Sequence, residues 1–316
     1  MTKVIVMGRE SESYKKIFAE HGIEVGFCQA KEEDEIARIA HDAQAMIFTS
    51  TKFTDSLFDK LPNLKIISRS GIGIDTVDMD AATAHGVIVC NSASYGTYDV
   101  AEHAVALMLS LVHSIPRYDC NIKSENNWSS SDIPPAHRLS ERVMGIVGFG
   151  RISRWICTMI KGFGMKTLVY DPYVNLDAAR ELVVSPVTLD ELVSTADIIS
   201  VNAPLTKDTR HMINADTFAK MKSGALIINT SRGPLIDEGA LIDALESGKI
   251  AGAALDVFES EPFEDENKLR TFKNVVLTPH VAWRSEEAMR DLKIEVTGNV
   301  IDYFLGKPLK NQLNLK

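Results

Sequence analysis

Val143-Met144-Gly145-Ile146-Val147-Gly148-Phe149-Gly150-Arg151-Ile152-Ser153-Arg154 is the stretch that decides the fold. Its first five residues read as a buried strand, G-x-G-x-x-S follows, and a helical pattern runs over 152–163. Gly148 permits a tight turn, and Gly150 lets a pyrophosphate come close to the backbone. A helix opening at Arg151 and Ile152 offers free N–H groups and the positive end of its dipole. Ser153 stands where the usual third glycine would be, and is still small. A turn of this kind also arises incidentally, so its surroundings matter. The next strand, 167–170, closes on Asp171-Pro172, and Asp171 lies 21 residues beyond Gly150. An acidic residue there accepts from the adenosine ribose hydroxyls and repels a 2′-phosphate, so NAD is expected over NADP. A plain strand-end turn is the other reading of Asp171.

Working outward, short β-branched runs alternate with amphipathic stretches on both sides. Downstream, strands are expected at 198–201, 226–229, 253–256 and 275–277, with helices at 238–247 and 285–305, the last stopped by Gly306. Upstream, strands fall at 4–7, 25–28, 45–48, 64–68 and 87–90, with helices at 13–20 and 33–41. This rhythm predicts an α/β protein of two doubly wound, mostly parallel sheets. Val100, Ala104, Leu107, Leu111 and Ile115 predict one long helix over 98–115. The irregular stretch 121–139 reads as an arm that packs on a second subunit, or as a mobile surface loop.

Composition narrows the class. At 316 residues the chain is long enough for about two domains. Its 43 acidic against 34 basic side chains give a net −9, which argues against a nucleic-acid partner. Cys28, Cys90, Cys120 and Cys157 are scattered without a C-x-x-C pair, as in a protein with reduced thiols. The first residues hold too short an apolar run for a signal peptide, and no stretch approaches the ~20 apolar residues that span a bilayer. A cytoplasmic protein with no membrane partner is expected. No histidines and cysteines cluster as metal ligands do, so no metal is expected.

Three further segments share one form, a strand with polar residues at its carboxyl end. They are Asn229-Thr230-Ser231-Arg232-Gly233, Asp256-Val257-Phe258-Glu259-Ser260-Glu261-Pro262 and Thr278-Pro279-His280. Ligands of open α/β sheets bind beyond such strand ends. Arginine, glutamate and histidine are therefore expected to converge on the nicotinamide end of a dinucleotide. A histidine exchanges a proton near pH 7, a neighbouring carboxylate orients it, and arginine offers a planar fork to a carboxylate.

SRSGIGIDTVD, VAEHAVALML, GIVGFGRIS, YDP, NTSRGPLIDEGAL, AGAALDVFESEP and TPHVAW, in that order, closely resemble the D-isomer-specific 2-hydroxyacid dehydrogenase family. The resemblance implies that Arg232 binds the substrate carboxylate and keto oxygen, that His280 is the acid–base, and that Glu261, not Glu259, is its partner. It implies a substrate loop at Arg69, Ser70, Gly71, Ile72 and Gly73, whose N–H groups hold a carboxylate; a glycine-rich turn is the alternative. It places Thr97, Pro172, Asn202, Pro204, Thr209, Thr230 and Asp256 on the cofactor side. Trp283 reads either as a wall of the substrate pocket or as core packing. His103 and His113 read as packing or surface residues of the long helix.

The resemblance also implies a flavodoxin-like substrate domain of 1–98 and 284–316, interrupted by a Rossmann NAD-binding domain of 99–283. Closure of a cleft between them would bring loop 71–73 onto Arg232 and His280. The expected activity is NAD(H)-dependent interconversion of a small 2-keto acid and its D-2-hydroxy acid, such as glyoxylate or hydroxypyruvate, by a homodimer. A NADH-sensing protein like the corepressors of this fold, or a phosphoglycerate dehydrogenase lacking a regulatory domain, are the alternatives. Asn202 departs from the histidine common among relatives.

Overall fold

The structure, a computed structural model, describes residues 3–315. The chain divides into two units, Met1–Gly96 with Ser285–Lys316, and Thr97–Arg284.

In the first unit, β1 (Lys3–Met7), β2 (Glu24–Cys28), β3 (Ala45–Phe48), β4 (Ile66–Arg69) and β5 (Ile88–Cys90) form one sheet in the order β2-β1-β3-β4-β5. Every pairing is parallel. This is the flavodoxin-like order of a doubly wound sheet. β1 shows why its sequence is apolar almost throughout. Val4 and Val6 pack with Phe18 and with Val296, Val300 and Ile301 of the C-terminal helix Glu286–Phe304. Ile5 points the other way, into a cluster with Met46, Phe48 and Leu57. A strand covered on both faces has no polar side. Buried Asn299 fixes the C-terminal helix in depth, donating to Ser68 Oγ at 3.1 Å and to the Asn91 carbonyl at 3.0 Å.

In the second unit, β6 (Val143–Val147), β7 (Lys166–Tyr170), β8 (Ser185–Pro186), β9 (Ile198–Val201), β10 (Ala225–Asn229), β11 (Ile250–Leu255) and β12 (Val275–Leu277) run in the order β12-β11-β10-β9-β6-β7-β8. All are parallel. The order turns back on itself between β6 and β9, the switch point at which doubly wound sheets open a crevice for ligand. The expected α/β class is therefore observed.

One helix is shorter than its apolar period predicts. It spans Thr97–Val112, and a second helix, Ile115–Lys123, follows. Ser114 between them is left-handed, at φ 50°, and Pro116 lies in the first turn of the second helix. A proline there loses no helical hydrogen bond, so the periodicity runs unbroken across the joint. The helix also claims Asn121, which is 2% exposed, so the irregular stretch begins after Lys123.

Cys28, Cys90 and Cys157 are buried and Cys120 is exposed. Burial pushes the Cys90 and Cys157 thiols up to about 12. Since the thiolate is the nucleophile, iodoacetamide at pH 8 should label Cys120 first and spare Cys90 and Cys157 until the protein unfolds. Peptide mass spectrometry reads this directly, and early labelling of Cys157 would contradict it. Among the described residues no helix is long and apolar enough to cross a membrane, and no metal-holding cluster occurs.

Candidate functional site

The glycine turn at the end of β6 is built by close backbone approach. Gly148 has φ +87°, and a Cβ there would lie 2.8 Å from the Ala203 nitrogen. Only glycine lets the loops after β6 and β9 meet at the switch point. Gly150 is different, because a Cβ on it would meet nothing within 4 Å. It precedes the helix Arg151–Ile160 without any side-chain cap. An open space beside an uncapped helix start is what a pyrophosphate requires. Ser153 does more than replace a glycine: buried, its hydroxyl donates to the Gly148 carbonyl at 2.6 Å and holds the turn.

Asp171 at the end of β7 accepts from Phe149 N–H at 2.7 Å and from Tyr173 N–H at 2.8 Å. It thus pins the glycine turn to the adjacent strand end, and each oxygen keeps capacity for a further donor. At the next strand ends two buried polar atoms have no partner among the described residues: Asn202 Oδ1 and Thr230 Oγ1. Such an atom costs about 1–3 kcal/mol when left unsatisfied, a cost that a polar ligand reaching it would relieve. Thr209 is occupied within its own loop, accepting from Thr206 N–H and donating to the Pro204 carbonyl, both at 2.7 Å.

His280 and Glu261, expected side by side from the sequence, are in contact. His280 Nδ1 lies 2.7 Å from Glu261 Oε2, and Glu261 Oε1 accepts from Phe258 N–H at 3.0 Å. Burial works against ionisation of Glu261. The hydrogen bonds from His280 and Phe258, with the charges of His280 and Arg232, nonetheless hold its carboxyl below the usual glutamate range. Glu259, two residues earlier, turns elsewhere, toward His211 Nε2 at 2.6 Å.

A lowered folded-state value means the ionised Glu261 stabilises the protein fully above about pH 4.3, and less as pH falls through that value. Glu261→Gln should therefore lower the Tm at pH 7, with a deficit that shrinks as the pH drops past about 4. Calorimetry at the two pH values checks this; a constant deficit would count against it.

Arg232 follows β10, and its Nη1 donates to the Ser231 carbonyl at 2.7 Å. Asn229 braces the arginine's backbone, donating from Nδ2 to the Arg232 carbonyl at 2.8 Å. The following Gly233 could not carry a side chain: a Cβ would sit 1.8 Å from the Phe258 carbonyl oxygen. That contact presses the Arg232 loop against the segment holding Glu261, and its importance is not evident from sequence alone.

Asp256 is fully buried and its carboxylate serves the histidine loop. It accepts from Thr278 Oγ1 at 2.6 Å, Val281 N–H at 2.9 Å and Ala282 N–H at 2.9 Å. Its carbonyl accepts from His280 N–H at 2.8 Å. His103, read from sequence as packing or surface, lies beside this group, with Nε2 3.2 Å from Thr278 Oγ1. Helical spacing could not reveal that contact, which depends on β12 reaching the same edge of the helix. Trp283 is half-buried.

In the first unit, β4 leads into Arg69, Ser70 and Gly71. The Arg69 guanidinium lies over Gly71, where a Cβ would be 2.4 Å from Nη1. Ser70 hydrogen-bonds the side chain of Tyr14, whose phenol burial pushes up. The Ile72 carbonyl is held by Asn91 Nδ2 at 2.8 Å.

A cavity of about 500 Å³ lies elsewhere, lined by Ile198 and Ala225, which open β9 and β10, by Val276 within β12, and by Arg117, Arg142 and Lys222. It is remote from the glycine turn, and size alone does not make it the active site.

Residues 105–282 match the family model described as D-isomer specific 2-hydroxyacid dehydrogenase, NAD binding domain. The chain is 41% identical over 287 residues to a D-3-phosphoglycerate dehydrogenase of Bacillus subtilis, covering 90% of this chain and 53% of that protein. It thus spans about half the length of the curated relatives it matches. Among solved structures, a D-lactate dehydrogenase from Aquifex aeolicus complexed with NAD and lactic acid superposes with TM-score 0.88 at 30% identity, covering 96% of each chain. A glyoxylate reductase from Paecilomyes thermophila gives TM-score 0.90 at 26% identity, over 99% of this chain and 98% of that one. The glycine turn, Asp171 and the His280–Glu261 contact thus sit in a chain that belongs to the D-isomer specific 2-hydroxyacid dehydrogenase family, with the family's NAD-binding domain within Thr97–Arg284.

Proposed function

We propose that the protein interconverts a small 2-keto acid and the corresponding D-2-hydroxy acid, using NAD(H). The contact of 2.7 Å between His280 Nδ1 and Glu261 Oε2 carries this reading. With Nδ1–H donated to Glu261, the exchanging proton belongs on His280 Nε2, which gives it to the keto oxygen or takes it from the hydroxyl. Arg232 binds the substrate carboxylate through its planar fork. When bound, the nicotinamide supplies or accepts the hydride. Gly148, Gly150, Arg151, Ile152 and Thr230 hold the dinucleotide, with Thr97, Pro172, Asn202, Pro204, Thr209 and Asp256 beside it. Asp171 favours NAD, because a 2′-phosphate would face its carboxylate. Arg69, Ser70, Gly71, Ile72 and Gly73 are proposed as a carboxylate-binding element, and Trp283 as a substrate contact.

A phosphorylated 2-hydroxy acid is the second reading of the substrate. It is favoured by the Arg69 guanidinium at the 69–73 loop and by relatives named D-3-phosphoglycerate dehydrogenase. We also read the protein as a cytoplasmic homodimer. Ile115, Ile122 and Trp128 in and after the second helix are 53%, 51% and 90% exposed, apolar groups that a second copy could cover. Light scattering tests the dimer.

The activity is tested by NADH oxidation with glyoxylate, hydroxypyruvate, pyruvate and 3-phosphohydroxypyruvate. Steady turnover with any of them supports the reading, and the preferred one decides between the two substrates. Tight NADH binding without turnover on the panel would instead favour a NADH sensor.

A further inference from the structure

The loop that carries His280 is strained, and its own backbone bonds are His280 N–H to the Thr278 carbonyl at 3.1 Å and Arg284 N–H to the Val281 carbonyl at 2.8 Å. His280 adopts φ +54°, a left-handed backbone that a side chain bearing a Cβ rarely takes. Such a residue persists only where its surroundings over-determine it. Here Asp256 provides the constraint. Its carbonyl receives His280 N–H, and its carboxylate receives Val281 N–H, Ala282 N–H and the Thr278 hydroxyl. The carboxylate is almost wholly shielded from solvent, so these donors supply most of its solvation.

Thr278 is the member through which an outside group enters. A hydroxyl has one proton, and this one is directed at Asp256 Oδ1 at 2.6 Å. Toward any other neighbour Thr278 Oγ1 acts as an acceptor. The neighbour is His103 Nε2 at 3.2 Å, which also lies 3.8 Å from Asp256 Oδ1. The arrangement therefore sets the His103 tautomer, with the proton on Nε2 pointing at Thr278. His103 sits on the helix Thr97–Val112 and is three-quarters buried, so the bond ties that helix to the loop that follows β12.

We propose that His103 is a positioning residue for His280, acting through Thr278 and Asp256. It does not touch the reacting atoms. Its donor orients the Thr278 hydroxyl onto Asp256, and Asp256 in turn holds residues 278–282 in the strained turn that keeps the His280 ring against Glu261. The proposal rests on the dehydrogenase reading of the His280–Glu261 pair.

The test compares His103→Leu, which removes the donor, with His103→Gln, whose amide can present an N–H in place of Nε2–H. Thr278→Val and Thr278→Ser form a second pair, without and with the hydroxyl. Misplacing a catalytic group by about 1 Å costs up to about a hundredfold, so kcat of His103→Leu and Thr278→Val should fall by about ten- to a hundredfold. KM for NADH should stay within about twofold, since the loss falls on the chemical step. His103→Gln and Thr278→Ser should recover most of kcat. Wild-type kcat in both His103→Leu and Thr278→Val would overturn the proposal, as would equal loss in the leucine and glutamine variants. If the wild-type enzyme turns over no keto acid, the dehydrogenase reading fails, and the proposal is judged from ¹⁵N-detected histidine spectra. A changed His280 Nδ1 signal in His103→Leu, restored in His103→Gln, supports positioning; an unchanged signal overturns it.

Discussion

His280→Gln is expected to lower kcat by about a thousandfold, within the range by which general acid–base catalysis accelerates a step. Glutamine can still donate to Glu261 and fills much of the same space, so the 278–282 turn has no new reason to rearrange. What it lacks is a group that gains and loses a proton near neutral pH. NADH affinity, followed by nicotinamide fluorescence, should stay within about threefold of wild type, because no part of the glycine turn is changed. The split is the informative result: chemistry lost and cofactor retained. A variant that keeps kcat within about tenfold would show that another group handles the proton.

Gly233→Ala is expected to be nearly as damaging, and through the backbone. The added Cβ would lie 1.8 Å from the Phe258 oxygen, 1.9 Å from its carbonyl carbon and 2.5 Å from Glu259 N. None of these is the end of a flexible side chain, so one loop must move bodily. Overpacking of this kind costs about 3 kcal/mol or more. For a unit of this size that is a fall in Tm of roughly 6–12 °C. Activity should fall further than stability, since the displaced Phe258 N–H is a hydrogen bond that fixes Glu261. Gly150→Ala is the contrast: its Cβ meets nothing within 4 Å, so Tm should hold while NADH binds more weakly. Calorimetry with an NADH titration separates the two. A Gly233→Ala protein with wild-type Tm would mean that the loops yield more easily than their backbone contact suggests.

Sequence reveals the sheets far better than the joints between elements. The apolar runs of β1, β3, β6 and β9 could only be strands covered on both faces, and the glycine turn located the switch point in the second sheet. The break at Ser114 escaped because Pro116 fits a helical first turn and the apolar period continues across it. The helices Leu176–Leu182, Leu189–Thr195 and Ala215–Lys220 are short with weak apolar periods, yet each is preceded by a residue that caps it: Asn175, Thr188 and Asn214. Capping residues are the signal that would have found them. In the site, Glu261 could be told from Glu259 only through a motif, because both are acidic residues of one loop. The roles of Asp256 and His103 needed coordinates, since their partners lie 22 to 26 and 175 residues away in sequence, whereas Ser153 bonds within its own turn.

The first unit also has a consequence for how the protein is made. Val4, Val6 and Phe18 share their core with Val296, Val300 and Ile301, and the Leu313 N–H donates to the Val89 carbonyl at 2.9 Å. A ribosome emits the first group long before the second. At ~5–20 residues per second, translating all of Thr97–Arg284 takes roughly ten to forty seconds, during which one face of β1 is covered by Phe18 but lacks Val296, Val300 and Ile301. Thr97–Arg284, contiguous in sequence, can mature in that interval. Nascent chains arrested just before residue 285 should lose their amino-terminal segment to protease while the Rossmann portion survives, and equal protection of both would refute this order. The unit that is begun first is finished last, and in the meantime part of its apolar sheet face stays open to water.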